Sequence, residues 1–469
     1  MASDQLPSNA NASTRIESDS MGEVRIPQDA LYGPQTQRAL ENFPISGQSM
    51  PEPFVRALLA IKAAAAQANG ELKCVDAEVA VEIEAAVERL LVDEDLMAHF
   101  PVDVYQTGSG TSSNMNANEV IARSAALASG IEIHPNDHVN YGQSSNDVIP
   151  SAIHVSVVLT GTGQLLPALE QLMAVIDQKA ESLKTMTKTG RTHLMDAMPV
   201  RFDQSLRSWL AQLEECHKRI AQAMDDLRCL AIGGTAVGTG VNTHREFAAR
   251  LTAGLSRATG QQFTAAESPF HLMSAQDGAV ALSGQLRVLA VALSKVANDL
   301  RWMNSGPLAG IGEISLPSLQ PGSSIMPGKV NPVVPEAAAM VCARVIGNDV
   351  TITMAGQSGN FELNVMLPVI AKVNLESMEL LSGAMSTLAS KAIEGFTVNT
   401  QRVAESLSRN PILVTALNPI IGYGKAASIA KKAYDSGRPI IDVAEEETGM
   451  ARSELEKLLD PQRLTGEWD

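Results

Sequence analysis

Between Leu316 and Glu336 the chain reads L-P-S-L-Q-P-G-S-S-I-M-P-G-K-V-N-P-V-V-P-E. Within that stretch Ser323 and Ser324 offer hydroxyls, Asn331 an amide and Lys329 a compact ammonium, a set able to hold carboxylate oxygens or to neutralise an enolate-like oxyanion. Gly322 and Gly328 open backbone conformations closed to other residues and let a ligand approach the main chain, which makes the segment a candidate mobile lid over a small polyanion. Small donors recur elsewhere, in T-G-S-G-T-S-S-N-M-N (Thr107 to Asn116) and Q-S-S-N-D (Gln143 to Asp147). G-R-T-H-L-M-D-A (Gly190 to Ala197) adds a histidine, His193.

Helices must carry these groups. Leu165, Leu169, Leu172, Ile176, Ala180 and Leu183 recur at steps of four and three, as do Leu206, Leu210, Leu213, His217, Ile220, Met224 and Leu227, and again Leu282, Leu286, Leu289, Leu293, Val296 and Leu300. That period marks amphipathic bundle helices, with His217 on a bundle stripe expected as a core residue or an interface donor. The third run adds Ala279, Gly284, Ala290, Ala292 and Ala297 on its other faces, so it is expected to pack on several sides and to need partner subunits. Amphipathic stretches at Val55 to Asn69 and Ala77 to Val92 precede the bundle. Past Val398 the pattern shortens into brief helices punctuated by Asn410-Pro411, Gly437-Arg438-Pro439 and Asp460-Pro461. The expected organisation is an all-α chain with a disordered tail (1–14), an N-terminal domain (15–140), a central helix bundle (141–397) and a small helical C-terminal domain (398–469).

Composition narrows the classes. Aromatic residues make up only 4% of 469 residues, which favours helices packed through small and unbranched side chains over aromatic-rich strands. A formal net charge of −16 argues against nucleic-acid and anionic-membrane partners, so an anionic substrate must be drawn in by local cations. Cys74, Cys216, Cys229 and Cys342 show no metal-binding spacing. The start of the chain lacks the basic and apolar regions of a secretion signal, which leaves the cytoplasm as the expected setting. G-G-T-A-V-G-T-G (Gly233 to Gly240) lacks the G-K-[ST] of a phosphate loop and reads as close backbone packing. As metal ligands His134, Asp137 and His138 are disfavoured, since Pro135 opposes the helix that would align them.

G-S-S-I-M-P-G-K-V-N-P resembles the signature of the fumarase/aspartase superfamily, and the Thr107, His134 (H-P-N-D-H-V-N), Gln143, Gly190 and Gly233 blocks resemble its other motifs in the same order. The resemblance runs from about Arg15 to near the C-terminus and is strongest to the class II fumarases. It implies a cofactor-free hydratase converting fumarate to L-malate in the citric acid cycle, built as a homotetramer whose active sites are shared between subunits. It further implies Ser323 as the base that takes the carbon-bound proton, and His193, oriented by Glu336, as the acid working through a water; an imidazole paired to a carboxylate can be a cation that donates a proton. Ser109, Gly110, Thr111, Ser144, Ser145, Asn146, Thr192, Ser324, Lys329, Val330 and Asn331 are implied to bind the dicarboxylate. His134, Pro135, Asn136 and Asp137 are implied to form a second anion site.

Two features point toward the ammonia-lyase branch: V-V-P-E after Asn331, and F-P-V-D-V-Y-Q ahead of the first block. Met195 and Met198 stand where many fumarases carry Gln and Thr. Aspartases usually carry Gln at the place of His193 and Asn at that of His134, so both histidines favour water chemistry over an aspartate ammonia-lyase. A member retired to a structural role would be marked by loss of Ser323, His193, Lys329 or Glu336, and all four are present.

Overall fold

A computed structural model describes residues 13–322 and 324–466. The expected tail therefore lies outside the described residues apart from Ser13 and Thr14, and Thr14 already opens strand β1 (Thr14–Asp19), paired antiparallel with β2 (Gly22–Pro27). Helices dominate. Among the described residues strands form only two-stranded pairs. The helices that carry the site are α1 (Glu52–Glu71), α2 (Ala77–Leu91), α3 (Thr111–Ser129), α4 (Ser145–Thr160), α5 (Leu166–Ser182), α6 (Phe202–Asp226), α7 (Asp277–Met303), α8 (Val333–Gly356) and α9 (Leu367–Leu388).

The three predicted stripes fold as helices with their apolar positions inward. Leu282, Leu286, Leu289, Leu293, Val296 and Leu300 of α7 are all buried, and so are Ala279, Ala290, Ala292 and Ala297, while Gly284 is half-exposed with nothing within 4 Å of its Cβ position. On α6 the core turns are Trp209, Leu213, Cys216 and Ile220. His217 lies at the half-exposed edge of its stripe, where Nε2 lies 2.9 Å from Glu170 Oε1, because Cys216 takes the inward position at that turn. Between α4 and α5 a π-turn, Gly161–Leu165, continues the helix; a Cβ on Gly161 would fall 2.0 Å from Met224 Sδ, so a larger residue there would displace the Met224 side chain.

Contacts divide the chain into two compact units that do not follow sequence order. One comprises Met1–Leu166, Arg219–Arg287 and Arg344–Leu380, and the other Pro167–Lys218, Val288–Ala343 and Leu381–Asp469. In the first, α1 packs against α2 and α4, and α3 lies against α2 and α4. The second holds the antiparallel hairpin of β3 (Thr187–Thr192) and β4 (Met195–Arg201), the short pair of β5 (Ile314–Ser315) with β6 (Thr397–Val398), and three small helices at Tyr423–Ser436, Ile440–Thr448 and Arg452–Leu458. Those helices close on their own core of Leu413, Leu417, Ile429, Val443 and Leu455.

Candidate active site

The first unit brings two helix N-termini side by side. Gly110 enters α3 at φ 72°, and a Cβ there would come 2.9 Å from the Ile149 side chain of α4, so glycine is required on both counts. Asn114 in the first turn of α3 donates to Ser145 Oγ (3.1 Å) at the start of α4 and to Asn140 Oδ1 (3.2 Å). Ser109 Oγ and Thr111 Oγ1 are 2.9 Å apart. Two neighbouring helix N-termini, rimmed by serine, threonine and asparagine, suit a carboxylate.

A capping box starts α4: Ser144 accepts from Asn146 N, and Asp147 accepts from Ser144 N at 2.9 Å. Asp147 is buried and accepts two further backbone bonds, from Gly233 and Thr235, both at 2.9 Å. The glycine-rich stretch is thus a backbone donor loop for the α4 terminus, with Gly233, Thr235, Gly238 and Gly240 at positive φ. Asn146 Nδ2 donates to Ala236 O at 2.8 Å in the same loop.

Beneath this turn lies a residue the sequence reading passed over. Lys62 of α1 is 0% exposed, and its ammonium donates to Asn140 Oδ1 (2.9 Å) and Gln143 Oε1 (3.0 Å). Burial brings its pKa down to about 7 against the field of Asp147, and burial pushes Asp147 up to about 6 against its backbone donors and Lys62. A lone lysine inside the apolar run A-I-K-A-A-A-A was the available signal.

His193 occupies the tip of the β3–β4 hairpin. Thr192 pairs with Met195, leaving His193 and Leu194 as the two turn residues, at φ 57° and 61°. Positive φ at both positions is the type I′ pattern, usually given to Asn and Gly, so His and Leu hold this turn at a cost in backbone strain. Thr192 and His193 are exposed, and Leu194 and Met195 are 63% and 68% exposed. The whole tip projects into solvent from its own chain.

Ser323 lies outside the described residues. Around it the loop folds on itself: Asn331 Nδ2 donates to Gly322 O at 2.8 Å, and a Cβ on Gly322 would fall 2.1 Å from Lys329 O. Ser324, Lys329 and Val330 are exposed, and Asn331 and Glu336, the latter in the first turn of α8, are half-buried. Among the described residues no hydrogen bond joins Glu336 to His193 of the same chain.

The second anion segment forms a π-turn, Pro135–Val139. Pro135 does not prevent it, because proline at the first helical position forfeits an N–H that would be unpaired anyway. His134 Nδ1 lies 3.1 Å from both Asp137 N and Asp137 Oδ2, and His134 N donates to His138 Nδ1. His134, Pro135 and Asn136 edge a cavity of about 560 Å³ that also takes in Arg123. Among the described residues no cluster of three His, Cys, Asp or Glu side chains is placed to hold a metal ion.

The lyase family profile matches residues 22–347, and that of the fumarase C C-terminus matches residues 413–466. The fumarate hydratase class II 2 of Pseudomonas aeruginosa is 60% identical over 452 residues, 96% of this chain and 98% of its own. The crystal structure of a class II fumarase from Schistosoma mansoni superposes with a TM-score of 0.93 at 34% identity, covering 97% of this chain and 99% of that one. A fumarate lyase:delta crystallin from Brucella melitensis, bound to cobalt, gives 0.93 at 43% identity over 97% of this chain and 100% of its own.

Proposed function

The chain belongs to the class II fumarate hydratases of the lyase family, and from that premise we propose that it hydrates fumarate reversibly to L-malate through an aci-carboxylate intermediate. The observation that carries the reading is the pair of adjacent N-termini of α3 and α4, rimmed by Ser109, Thr111, Ser144, Ser145 and Asn146. A carboxylate that gains charge as the neighbouring C–H bond breaks draws most from donors already aimed at it. Ser323 takes the carbon-bound proton, Lys329 and Asn331 stabilise the charge that builds up, and His193 protonates the departing hydroxide through a water, with Glu336 orienting its ring. Thr192, Ser324 and Val330 complete the dicarboxylate contacts, and His134, Pro135, Asn136 and Asp137 bind a second anion.

The active enzyme is proposed to be a homotetramer in which each site draws on several subunits. Two features support this: the exposed His193 tip, and a seam on α8. Met340, Ala343, Gly347, Val350 and Met354 recur on α8 at heptad spacing, all exposed, with small Ala343 and Gly347 between the large residues. That is the pattern by which helices of separate chains approach closely. In chain order we assign an N-terminal domain to 15–140, the bundle to 141–397 and the small C-terminal domain to 398–469, with the cytoplasm as the setting.

The test is absorbance at the fumarate band with L-malate and then L-aspartate as substrate. Turnover of malate alone is expected, and turnover of aspartate alone would replace the hydratase by an ammonia-lyase. Ser323→Ala is expected to abolish most turnover with the assembly intact; near-wild-type kcat would remove Ser323 as the base.

A further inference from the structure

Lys188 and Arg191 stand three residues apart on β3, an odd separation that would turn them to opposite faces of a regular strand. The register shift between Thr189 and Arg191 breaks that alternation at Gly190. Both side chains then reach one carboxylate: Lys188 Nζ lies 3.1 Å from Glu313 Oε2, and Arg191 donates to Glu313 Oε1. Glu313 and Lys188 are buried and Arg191 is partly so. Burial draws the Lys188 ammonium below its ordinary value against the field of Glu313, so separating the two would leave an uncompensated charge inside the protein.

Glu313 is itself a fixed post. Its N–H donates to Met303 O at the end of α7, and its carbonyl accepts from Asn399 N, each at 2.8 Å. The next residue, Ile314, opens β5, which is pinned by pairing to β6. The far end of the hairpin has no such support. A cavity of about 500 Å³ runs along the hairpin, lined by Lys188, Gly190 and Arg191 as well as His193, Leu194 and Trp302, so close packing within the chain does not set where the imidazole stands. Within the chain, the Lys188 and Arg191 clamp is the nearest fixed point from which the turn can be held.

We propose that Glu313 is a positioning residue for the hydration reaction, acting through Arg191 and Lys188 to hold the His193 turn in place without touching substrate. The inference rests on the hydratase reading and on His193 as the acid. Arg191 is the working arm, two residues from His193, and its planar fork fixes direction as well as distance. Lys188 keeps the carboxylate neutralised.

The experiment uses the full-length assembled enzyme with L-malate. Arg191→Met leaves the buried Lys188–Glu313 pair intact, so the fold is kept while the arm is lost; kcat is expected to fall on the order of 10- to 100-fold from misplacement of the acid. KM should stay within about twofold, because the α3 and α4 donors that hold the carboxylates are untouched. Arg191→Lys should recover part of the loss, and Glu313→Gln should reproduce or exceed it. Wild-type kcat in Arg191→Met overturns the proposal. So does a raised KM with kcat unchanged, or a fall in kcat matched by loss of the assembly or of Tm, which would make the clamp merely structural. If Glu313→Gln does not fold, Arg191→Met decides alone. Wild-type protein inert toward both L-malate and fumarate would instead overturn the hydratase reading, and this inference with it.

Discussion

Lys62 shows how far a single side chain can be from what its surroundings in the sequence announce. It sits between Ile61 and four alanines on α1, yet its ammonium is buried against two amide oxygens below the turn proposed to bind a carboxylate. Folded, it loses its proton near pH 7; unfolded, near 10.5. Between those values the unfolded chain binds more protons, so this lysine makes stability climb as pH rises. Lys62→Met lacks that climb, and the amount by which wild-type Tm exceeds that of the variant is expected to grow by about 2–3 °C from pH 7 to pH 9. Thermal scans at both pH values check it, and a constant or shrinking difference would mean that the buried ammonium stays charged. The motif residues stood out because their types can bind carboxylates, and the roles proposed for them come from the family resemblance. Lys62 was not, since nothing local says that a lysine in an apolar run points inward.

Gly190 carries the corresponding argument for a whole element. A Cβ there would lie 2.4 Å from Met198 O across the hairpin, a backbone atom that cannot swing aside. Gly190→Ala should therefore splay β3 from β4, lowering Tm by several degrees and kcat by about 10-fold or more. Gly163→Ala, in the π-turn where a Cβ meets nothing within 4 Å, should leave both nearly unchanged. Equal effects from the two would show that helix or strand propensity, not the hairpin approach, is at stake. Period-3.6 stripes made α5, α6 and α7 readable in advance. The hairpin escaped because its turn residues, His193 and Leu194, are poor formers of a type I′ turn, and because the bulge at Gly190 erases the alternation by which a strand is recognised. Of the two roles open to His217, core residue or interface donor, the core one fell to Cys216, because a stripe fixes a face only to within one position.

For the whole molecule, the sequence suggested association from the small residues of α7; Ala279, Ala290, Ala292 and Ala297 are covered within the chain and Gly284 is half-exposed, and a further exposed seam lies on α8, where R-V-I-G-N-D-V interrupts any leucine rhythm. If sites are shared, two inactive variants should rescue one another. Ser323→Ala and His193→Asn, denatured and refolded together, are expected to regain about a quarter of wild-type activity, since each site takes each residue from an intact chain half the time. Mixed tetramers proven by mass yet inactive would place both residues of a site on one chain. The α8 seam also bears on how an active molecule comes into being. In the proposed tetramer a newly made chain would carry Met340, Val350 and Met354 bare to water until it met copies of itself, so the step that hides them would be a collision rather than a rearrangement. Activity recovered after dilution from denaturant should then return faster as protein concentration is raised, with the half-time falling at each doubling in the dilute range, and the same bare seam makes the solitary chain the species most exposed to chaperones and to aggregation.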